Sequence, residues 1–414
     1  MERKILHVDI NNCYASIECS INPKLKGKAV AVGGDPEQRH GIILAKNQIA
    51  KEMGVKTGEA LWEARDKCPD LIVLRPNFPL YLKYSKHARS VYESYADRVE
   101  PFGIDECWLD VSGYRGDAGE LAQEIRLRIK KELGITVSVG VSFNKIFAKL
   151  GSDMKKPDAV TVITKDNFKD KVWKLPVSDL LFVGRATTAK LLRYGIHTIG
   201  ELANTRQDFL TQWFGKNGIT LWKFANGLDD SPVMYAGTER EVKSVGNGTT
   251  AYRDLVCDDD VRVIVFTLAE SVAMRLREHK LKACGVSISV RDKDLVTYSR
   301  QKKLCMPTND AVDIARCALS LFFENHRFDK GAKPVRSVTV CGFDVIPEDA
   351  PIQLNLDVSA EKLRKTESLN KSLDAIRKRY GYTTIKHAVI LTDKTFSEFD
   401  TALQNEIHPV GIHA

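Results

Sequence analysis

The stretch "GIDECWLD", Gly103–Asp110, sets Asp105 and Glu106 side by side in an otherwise apolar and aromatic run, with Asp110 four residues beyond. Successive side chains of a strand point to opposite faces, so one of two neighbouring acids would be forced towards the core. At a hairpin end, where the chain reverses, that alternation lapses and both acids can turn the same way. A partner lies near the start of the chain: "LHVDIN", Leu6–Asn11, is otherwise apolar up to Asp9. An acid there is costly unless it is paired, hydrogen-bonded or bound to a cation. Asp9, Asp105 and Glu106 form an all-oxygen donor set, which suits Mg²⁺ better than zinc. Two such ions can activate an attacking hydroxyl and stabilise a leaving pyrophosphate. As a bare pattern, capped or salt-bridged structural acids remain an equal reading. Asp110, farther down the strand, is expected to cap or pair locally.

The rest of the chain limits the setting. At 414 residues it exceeds one ordinary core, so two to four domains are expected. Hydrophobic residues make up 43% and charged residues 28%, the balance of a soluble globular protein. No apolar run reaches the ~18 residues of a membrane span, and "MERKILHVDI" has no signal-peptide pattern, so a cytoplasmic protein without membrane association is expected. Nine scattered cysteines lack CxxC spacing, which argues against a zinc ribbon and for free thiols. The net charge of +8 is weak evidence by itself. Its clustering says more: Arg275, Arg277, Lys280, Lys282, Arg291, Lys293, Arg300, Lys302 and Lys303 crowd one region, suited either to a phosphate backbone or to a solvated helix and hairpin.

Strands at Ile5–Ile10 and Ala29–Val32 alternate with helices at Gly41–Met53, around Tyr81–Tyr95 and at Leu121–Leu133, and the two acidic strands read as a hairpin. That favours an α+β, multidomain fold over a doubly wound sheet. "VSDLLFVGRATTAKLLRYGIHTIGELA" reads as helix, glycine turn, helix, able to offer backbone N–H groups near Gly184 and Arg185 to a phosphate. "FGKNGITLWKFANG" repeats the device loosely. Beyond a polar tether comes strand–helix–strand–strand–helix–strand, then a charged helix within "SAEKLRKTESLNKSLDAIRKRYG".

"VDINNCYASIE", "NPKLKGKAVAVGG", "GIDECWLDVSG", "GVSFNKIFAKLGSDMKKPD" and the Val183–Gly195 hairpin occur in that order. Together they resemble the Y-family DNA polymerases, in the DinB or DNA polymerase IV branch, over Met1 to about residue 350. The resemblance implies a right-hand fold: palm at 1–18 and 77–170, fingers at 19–76, thumb at 171–234, a linker at 235–246, a little finger at 247–347 and a C-terminal tail at 348–414. It implies that Asp9, Asp105 and Glu106, with the main-chain carbonyl of Ile10, hold two Mg²⁺ ions, with Mn²⁺ a substitute. Tyr14 falls on the steric gate against a ribose 2′-OH. Cys13, Tyr14, Gln48, Lys51 and Lys156 fall on nucleotide-binding positions. Gln48 and Lys51 stand where the family often carries Tyr and Arg, and lysine lacks arginine's bidentate fork.

The activity so implied is template-directed DNA synthesis of low fidelity and low processivity across damaged templates, without a proofreading exonuclease, by a monomer acting on primer-template DNA and dNTPs. Gly184, Arg185, Arg275, Arg277, Arg291 and Arg300 are the expected DNA contacts. "PIQLNLD", Pro351–Asp357, resembles a sliding-clamp-binding peptide through Gln353, Leu354 and Leu356, although Asp357 stands in place of its final aromatic. Two other classes stay open on sequence: a non-catalytic DNA- or clamp-bound accessory protein, which the intact acids oppose, and a nucleotidyl cyclase, which the helix-hairpin-helix opposes.

Overall fold

A computed structural model describes residues 3–34, 41–238, 241–351, 360–393 and 395. These form two compact units, one up to residue 238 and one from residue 241. The strands in chain order are β1 (Ile5–Ile10), β2 (Val30–Gly33), β3 (Ile43–Lys46), β4 (Ile72–Leu74), β5 (Arg98–Phe102), β6 (Glu106–Asp110), β7 (Val137–Ser142), β8 (Val160–Val162), β9 (Ser244–Leu255), β10 (Leu281–Asp292), β11 (Thr297–Thr308) and β12 (Val335–Pro347).

In the first unit β1 is the central strand of the order β5-β6-β1-β7-β8, antiparallel to both neighbours, and every one of its residues is buried. Its alternation sorts the two faces of the sheet. Leu6, Val8 and Ile10 join Cys107 and Leu109 in a core closed by three helices, Cys13–Ile21, Phe78–Glu93 and Ala118–Leu133. The last presents Leu121, Ala122, Ile125, Ile129 and Leu133 at helical spacing. Ile5, His7 and Asp9 face the other way, where Ile5 packs with Trp108 and Ala148.

Ala148 belongs to the helix Lys145–Met154, which Asn144 caps by accepting the Phe147 N–H at 2.8 Å. This helix lies unusually close to β7: a Cβ on Gly140 would stand 1.9 Å from the Ala148 carbonyl oxygen and 2.5 Å from the Ser152 nitrogen. Only glycine permits that approach. The close approach brings Lys149, Ser152 and Asp153 to the Asp9 face.

β5 and β6 form the expected hairpin, with Gly103 at φ +87° in its turn. Asp105 lies in that turn and Glu106 opens β6, so strict alternation does not bind the pair. Asp110 accepts hydrogen bonds from the Ser112 N–H and hydroxyl at 3.0 and 2.5 Å, a local turn cap.

A second sheet, β3-β2-β4, carries the short helix Gln48–Glu52. Beyond Val160–Val162 the chain is helical. The first helix of the expected helix-hairpin-helix is shorter than its sequence suggests: only a 3₁₀ turn, Val177–Asp179, forms before Leu180 becomes extended. The helices Arg185–Arg193 and Ile199–Asn204 follow, the second under a Thr198–Glu201 capping box. The looser repeat also exists, as Gln207–Phe214 and Lys216–Ala225 hinged at Gly215. The segment after it is strapped to the first sheet. Glu100 accepts from the Met234 N–H at 3.0 Å and from Lys145 Nζ at 2.7 Å, and the Ala236 N–H donates to Asp97.

In the second unit the sheet order is β11-β10-β12-β9, all antiparallel, with the helices Asp258–Glu278 and Ala311–Asn325 covering one face. The helix Ala360–Tyr380 docks here through ions rather than a greasy stripe. Asp374 holds Arg277 at 2.6 and 2.7 Å, Glu367 meets Lys282 at 3.0 Å, and Arg377 meets Glu270 at 3.0 Å with side chains only 6% and 3% exposed. Removing one partner of a buried pair strands the other charge. Glu270→Ala is expected to cost about 3–5 kcal/mol of stability, read from denaturant unfolding of the full-length protein. Lys365→Ala, which removes an exposed pair with Glu361, should leave the midpoint unchanged.

Candidate active site

The register of β1 and β6 sets Asp9 directly opposite Glu106. Like charges directly across a strand pair repel, so the site must supply cations. The helix Lys145–Met154 and the turn after it do so. Lys149 Nζ stands 2.9 Å from Glu106 Oε2, 3.6 Å from Asp9 Oδ2 and 3.1 Å from Asp153 Oδ2. Lys156 Nζ donates to Asp9 Oδ2 at 2.8 Å and meets Asp153 Oδ1 at 2.7 Å. Asp105 is tied in through its backbone, its carbonyl accepting the Ile10 N–H at 3.0 Å.

Burial pushes the Asp9 carboxyl up to about 7, against the opposing charge of Lys156. Burial, with Glu106's like charge, lifts Asp105 to about 6. Burial would raise Glu106 as well, but the His7 contact and the Lys149 charge prevail and hold it at about 2. His7, fully buried behind the acids, is driven down to about 4 by desolvation and stays neutral.

In donor type, burial and register these residues fit a hard divalent cation: all the acids offer oxygen, and four carboxyls, Asp9, Asp105, Glu106 and Asp153, share only two ammonium groups, Lys149 and Lys156. Among the described residues, however, no three His, Cys, Asp or Glu side chains stand close enough to share one ion. Asp9 and Glu106 are instead engaged by lysine.

Around the acids, Cys13 is buried, and burial together with Asp105 and Asp9 holds its thiol well above the ordinary range. Tyr14 stacks on Tyr81 at 4.5 Å and 11° and meets Phe78 edge-on at 5.8 Å. Tyr81 donates its hydroxyl to Glu18 at 2.7 Å, so the ring that backs Tyr14 is itself pinned. Gln48 turns its amide to Glu52 at 3.0 Å on the same helix. Lys51 is exposed, while Lys46 donates to Thr57 at 3.0 Å.

The basic region is not one face. Arg277 is removed from the expected DNA contacts: its side chain is 11% exposed and its guanidinium is clamped by Asp374 and the Asn309 carbonyl. The sequence could not reveal this, because Asp374 lies 97 residues away. Arg275 donates to the Gly246 carbonyl at 2.9 Å, and burial lowers its pKa. Register pairs Arg300 with Ile288, on the helix-covered side, where it donates to Asn325 at 2.8 Å. Arg291 and Lys303 pair with Thr297 and Gly285 on the opposite, open side, among Ser287, Ser289, Ser337 and Thr339. Gly184 caps the helix Arg185–Arg193, with Arg185 exposed. Gln353, Leu354 and Leu356 lie outside the described residues.

Sequence reasoning missed Lys149, Asp153, Ser152 and His7. The signals were present: Lys149 and Asp153 are four apart on a helix, and His7 precedes Asp9 by two on a strand.

Comparison with known proteins gives the chain its relatives. Residues 8–153 match the impB/mucB/samB family, residues 242–356 match the C-terminal domain of that family, and residues 178–229 match a thumb domain described for DNA polymerase-iota. The chain is 50% identical over 397 residues to DNA polymerase IV of Acetivibrio thermocellus, covering 95% of this chain and 99% of that one. It is 36% identical over 399 residues to DNA polymerase IV of Clostridium acetobutylicum, covering 94% and 99%. It is 38% identical over 401 residues to DNA polymerase IV 2 of Bacillus subtilis, covering 94% and 95%. A solved Y-family DNA polymerase chimera superposes with a TM-score of 0.73 at 24% identity, over 83% of this chain and 99% of that one. Among the described residues no helix is long and apolar enough to cross a membrane.

A carboxylate must lose its proton to bind a cation, and Asp9 and Asp105 do so only near pH 7 and 6. Divalent-ion binding is therefore expected to weaken about tenfold between pH 8 and pH 6, measured as the half-saturating Mn²⁺ concentration. An affinity flat across that range would contradict the raised values.

Proposed function

Since the chain belongs to the Y family of DNA polymerases, in the DNA polymerase IV branch, and is a DNA-directed DNA polymerase, we propose that it performs low-fidelity translesion synthesis by two-metal nucleotidyl transfer, without proofreading. The observation that carries this reading is the Asp9–Glu106 pairing at the end of the central strand, with Asp105 in the adjoining turn and Lys149 and Lys156 converging on it. The assigned parts are the palm (1–18 and 77–170), fingers (19–76), thumb (171–234), linker (235–246), little finger (247–347) and tail (348–414). They leave no stretch for an exonuclease domain within this sequence.

Asp9, Asp105 and Glu106, with the Ile10 carbonyl, would hold two Mg²⁺ ions, which when bound lower the pKa of the primer 3′-OH and offset charge on the leaving pyrophosphate. Lys156, freed from Asp9 by that exchange, would turn to the β- and γ-phosphates, with Lys51 as a second point charge. Gln48, engaged with Glu52, contributes at most an amide donor. Tyr14 fills the space a ribose 2′-OH would need, and its stack on Tyr81 denies it room to yield. The Gly184–Arg185 helix start would hold a DNA phosphate. The open sheet side bearing Arg291 and Lys303 would track the duplex through its phosphates rather than its base sequence. "PIQLNLD" would engage a sliding clamp, the polymerase itself being a monomer. Nine free thiols agree with a reducing cytoplasm.

Primer extension on an undamaged primer-template with Mg²⁺ and dNTPs is the direct test, and pure protein that binds DNA but extends nothing would favour an accessory role instead. Asp105→Ala and Glu106→Ala should each lower incorporation by at least about a thousandfold with DNA affinity retained. Tyr14→Ala should admit ribonucleotides readily; sugar selectivity equal to that of the unaltered enzyme would place the gate elsewhere.

A further inference from the structure

The His7 side chain is wholly buried, on the same strand face as Asp9, with its ring edge against Trp108 at 5.2 Å. Plain packing would call for a phenylalanine here, yet both ring nitrogens are placed against polar atoms. Nδ1 lies 2.8 Å from Ser152 Oγ, and Nε2 lies 3.1 Å from Glu106 Oε2. Nε2 and Oε2 are both sealed from solvent; Oε2 is also reached by Lys149 Nζ at 2.9 Å, whereas Nε2 makes no well-aligned hydrogen bond among the described residues. A lone pair on Nε2 facing the carboxylate at that distance would be repelled and would leave the ring nitrogen unsatisfied, at a cost it cannot recover from water. Placing a hydrogen on Nε2 resolves the conflict, and that requires Nδ1 to accept.

Ser152 supplies what Nδ1 needs. Its hydroxyl has one hydrogen and two acceptors in reach, the Lys149 carbonyl at 2.7 Å and Nδ1 at 2.8 Å. Directed to Nδ1, it selects the tautomer that carries its proton on Nε2. The Lys149 carbonyl needs no second donor, because it lies inside a helix.

We propose that His7 is a positioning residue for the polymerase site: with its tautomer set by Ser152, it holds Glu106 Oε2 through Nε2–H, so that Glu106 presents Oε1 to the divalent cation. This rests on the reading of Glu106 as a metal ligand. The chain Ser152–His7–Glu106 runs from the helix that Gly140 admits, through the central strand, to the neighbouring strand. It braces the carboxylate from the fully buried His7 side. Outer-shell partners of this kind commonly govern ligand affinity by 10–100-fold.

The test uses full-length protein and Mn²⁺ alone, titrated by electron paramagnetic resonance without DNA or nucleotide, alongside the Mg²⁺ dependence of single-nucleotide incorporation. His7→Phe keeps the ring volume and removes both nitrogens, and should weaken Mn²⁺ binding and raise the Mg²⁺ requirement by about tenfold. His7→Gln, which restores a donor, should recover most of that loss. Ser152→Ala, which removes one hydroxyl, should shift both readouts in the same direction by a few-fold, and it carries the test if His7→Phe does not fold. A lowered melting temperature with unchanged Mn²⁺ affinity in His7→Phe, or in Ser152→Ala where that variant carries the test, would reduce His7 to a packing residue and overturn the proposal. Glu106→Ala separates the two levels. If it abolishes high-affinity Mn²⁺ binding while His7→Phe leaves the affinity unchanged, only the His7 inference fails. If Glu106→Ala itself changes nothing, the metal-site reading fails and His7 falls with it.

Discussion

Two carboxylates, Asp9 and Glu106, face each other across adjoining strands at the end of a sheet whose central strand is fully buried. Left alone, that pairing would be expelled by desolvation and mutual repulsion. Much of the first unit can be understood as what makes it tolerable. The hairpin before β6 puts Asp105 in a turn instead of the core. Lys149 and Lys156 arrive from one helix and the turn after it, and Asp153 joins the two ammonium groups. The balance is incomplete, with four carboxyls to two ammonium groups, and burial together with Glu106's like charge raises Asp9 and Asp105. Functional sites retain such unresolved charge because a substrate or cation completes it.

The helix that brings those lysines can approach only because Gly140 has no side chain, and the same approach seats Ser152 on His7. One residue without chemistry thereby sets the distance on which the chemistry depends. The strap through Glu100, Lys145 and Met234 reinforces this side of the sheet. Lys145 sits above Trp108, whose indole N–H returns to the Lys145 carbonyl at 2.9 Å. These contacts lock the start of the helix whose later turns carry Lys149 and Ser152.

The second unit teaches a different lesson about charge. Nine basic residues close in sequence read as one surface, but strand register divides them between two sides of a sheet, and a later helix consumes Arg277 and Lys282 in ion pairs. Net charge near a sheet is therefore a poor guide to which cations remain free for phosphate. The helix Ala360–Tyr380 was legible in the sequence as a charged helix, but its docking surface was not, for the same reason. It docks by Asp374, Glu367 and Arg377, residues that in isolation look like an ordinary solvated face.

The sequence by itself determined the α+β class, the hairpin around Asp105 and Glu106, and the family, because these rest on local periodicity and on ordered motifs. The helix expected over Gly41–Met53 is instead the strand Ile43–Lys46 followed by the short helix Gln48–Glu52, its strand held by pairing with Val30–Gly33. Strand alternation even implied that His7 shares a face with Asp9. Only the tertiary structure decided which lysines meet the acids, that Ser152 lies against His7, and that Arg277 is bound within its own unit. Those facts depend on contacts between residues up to about 150 positions apart, Lys156 with Asp9 and Ser152 with His7 among them. Long-range pairing of this kind leaves no period in the chain. It follows from how closely one helix can lie on one strand, and Gly140 sets that distance.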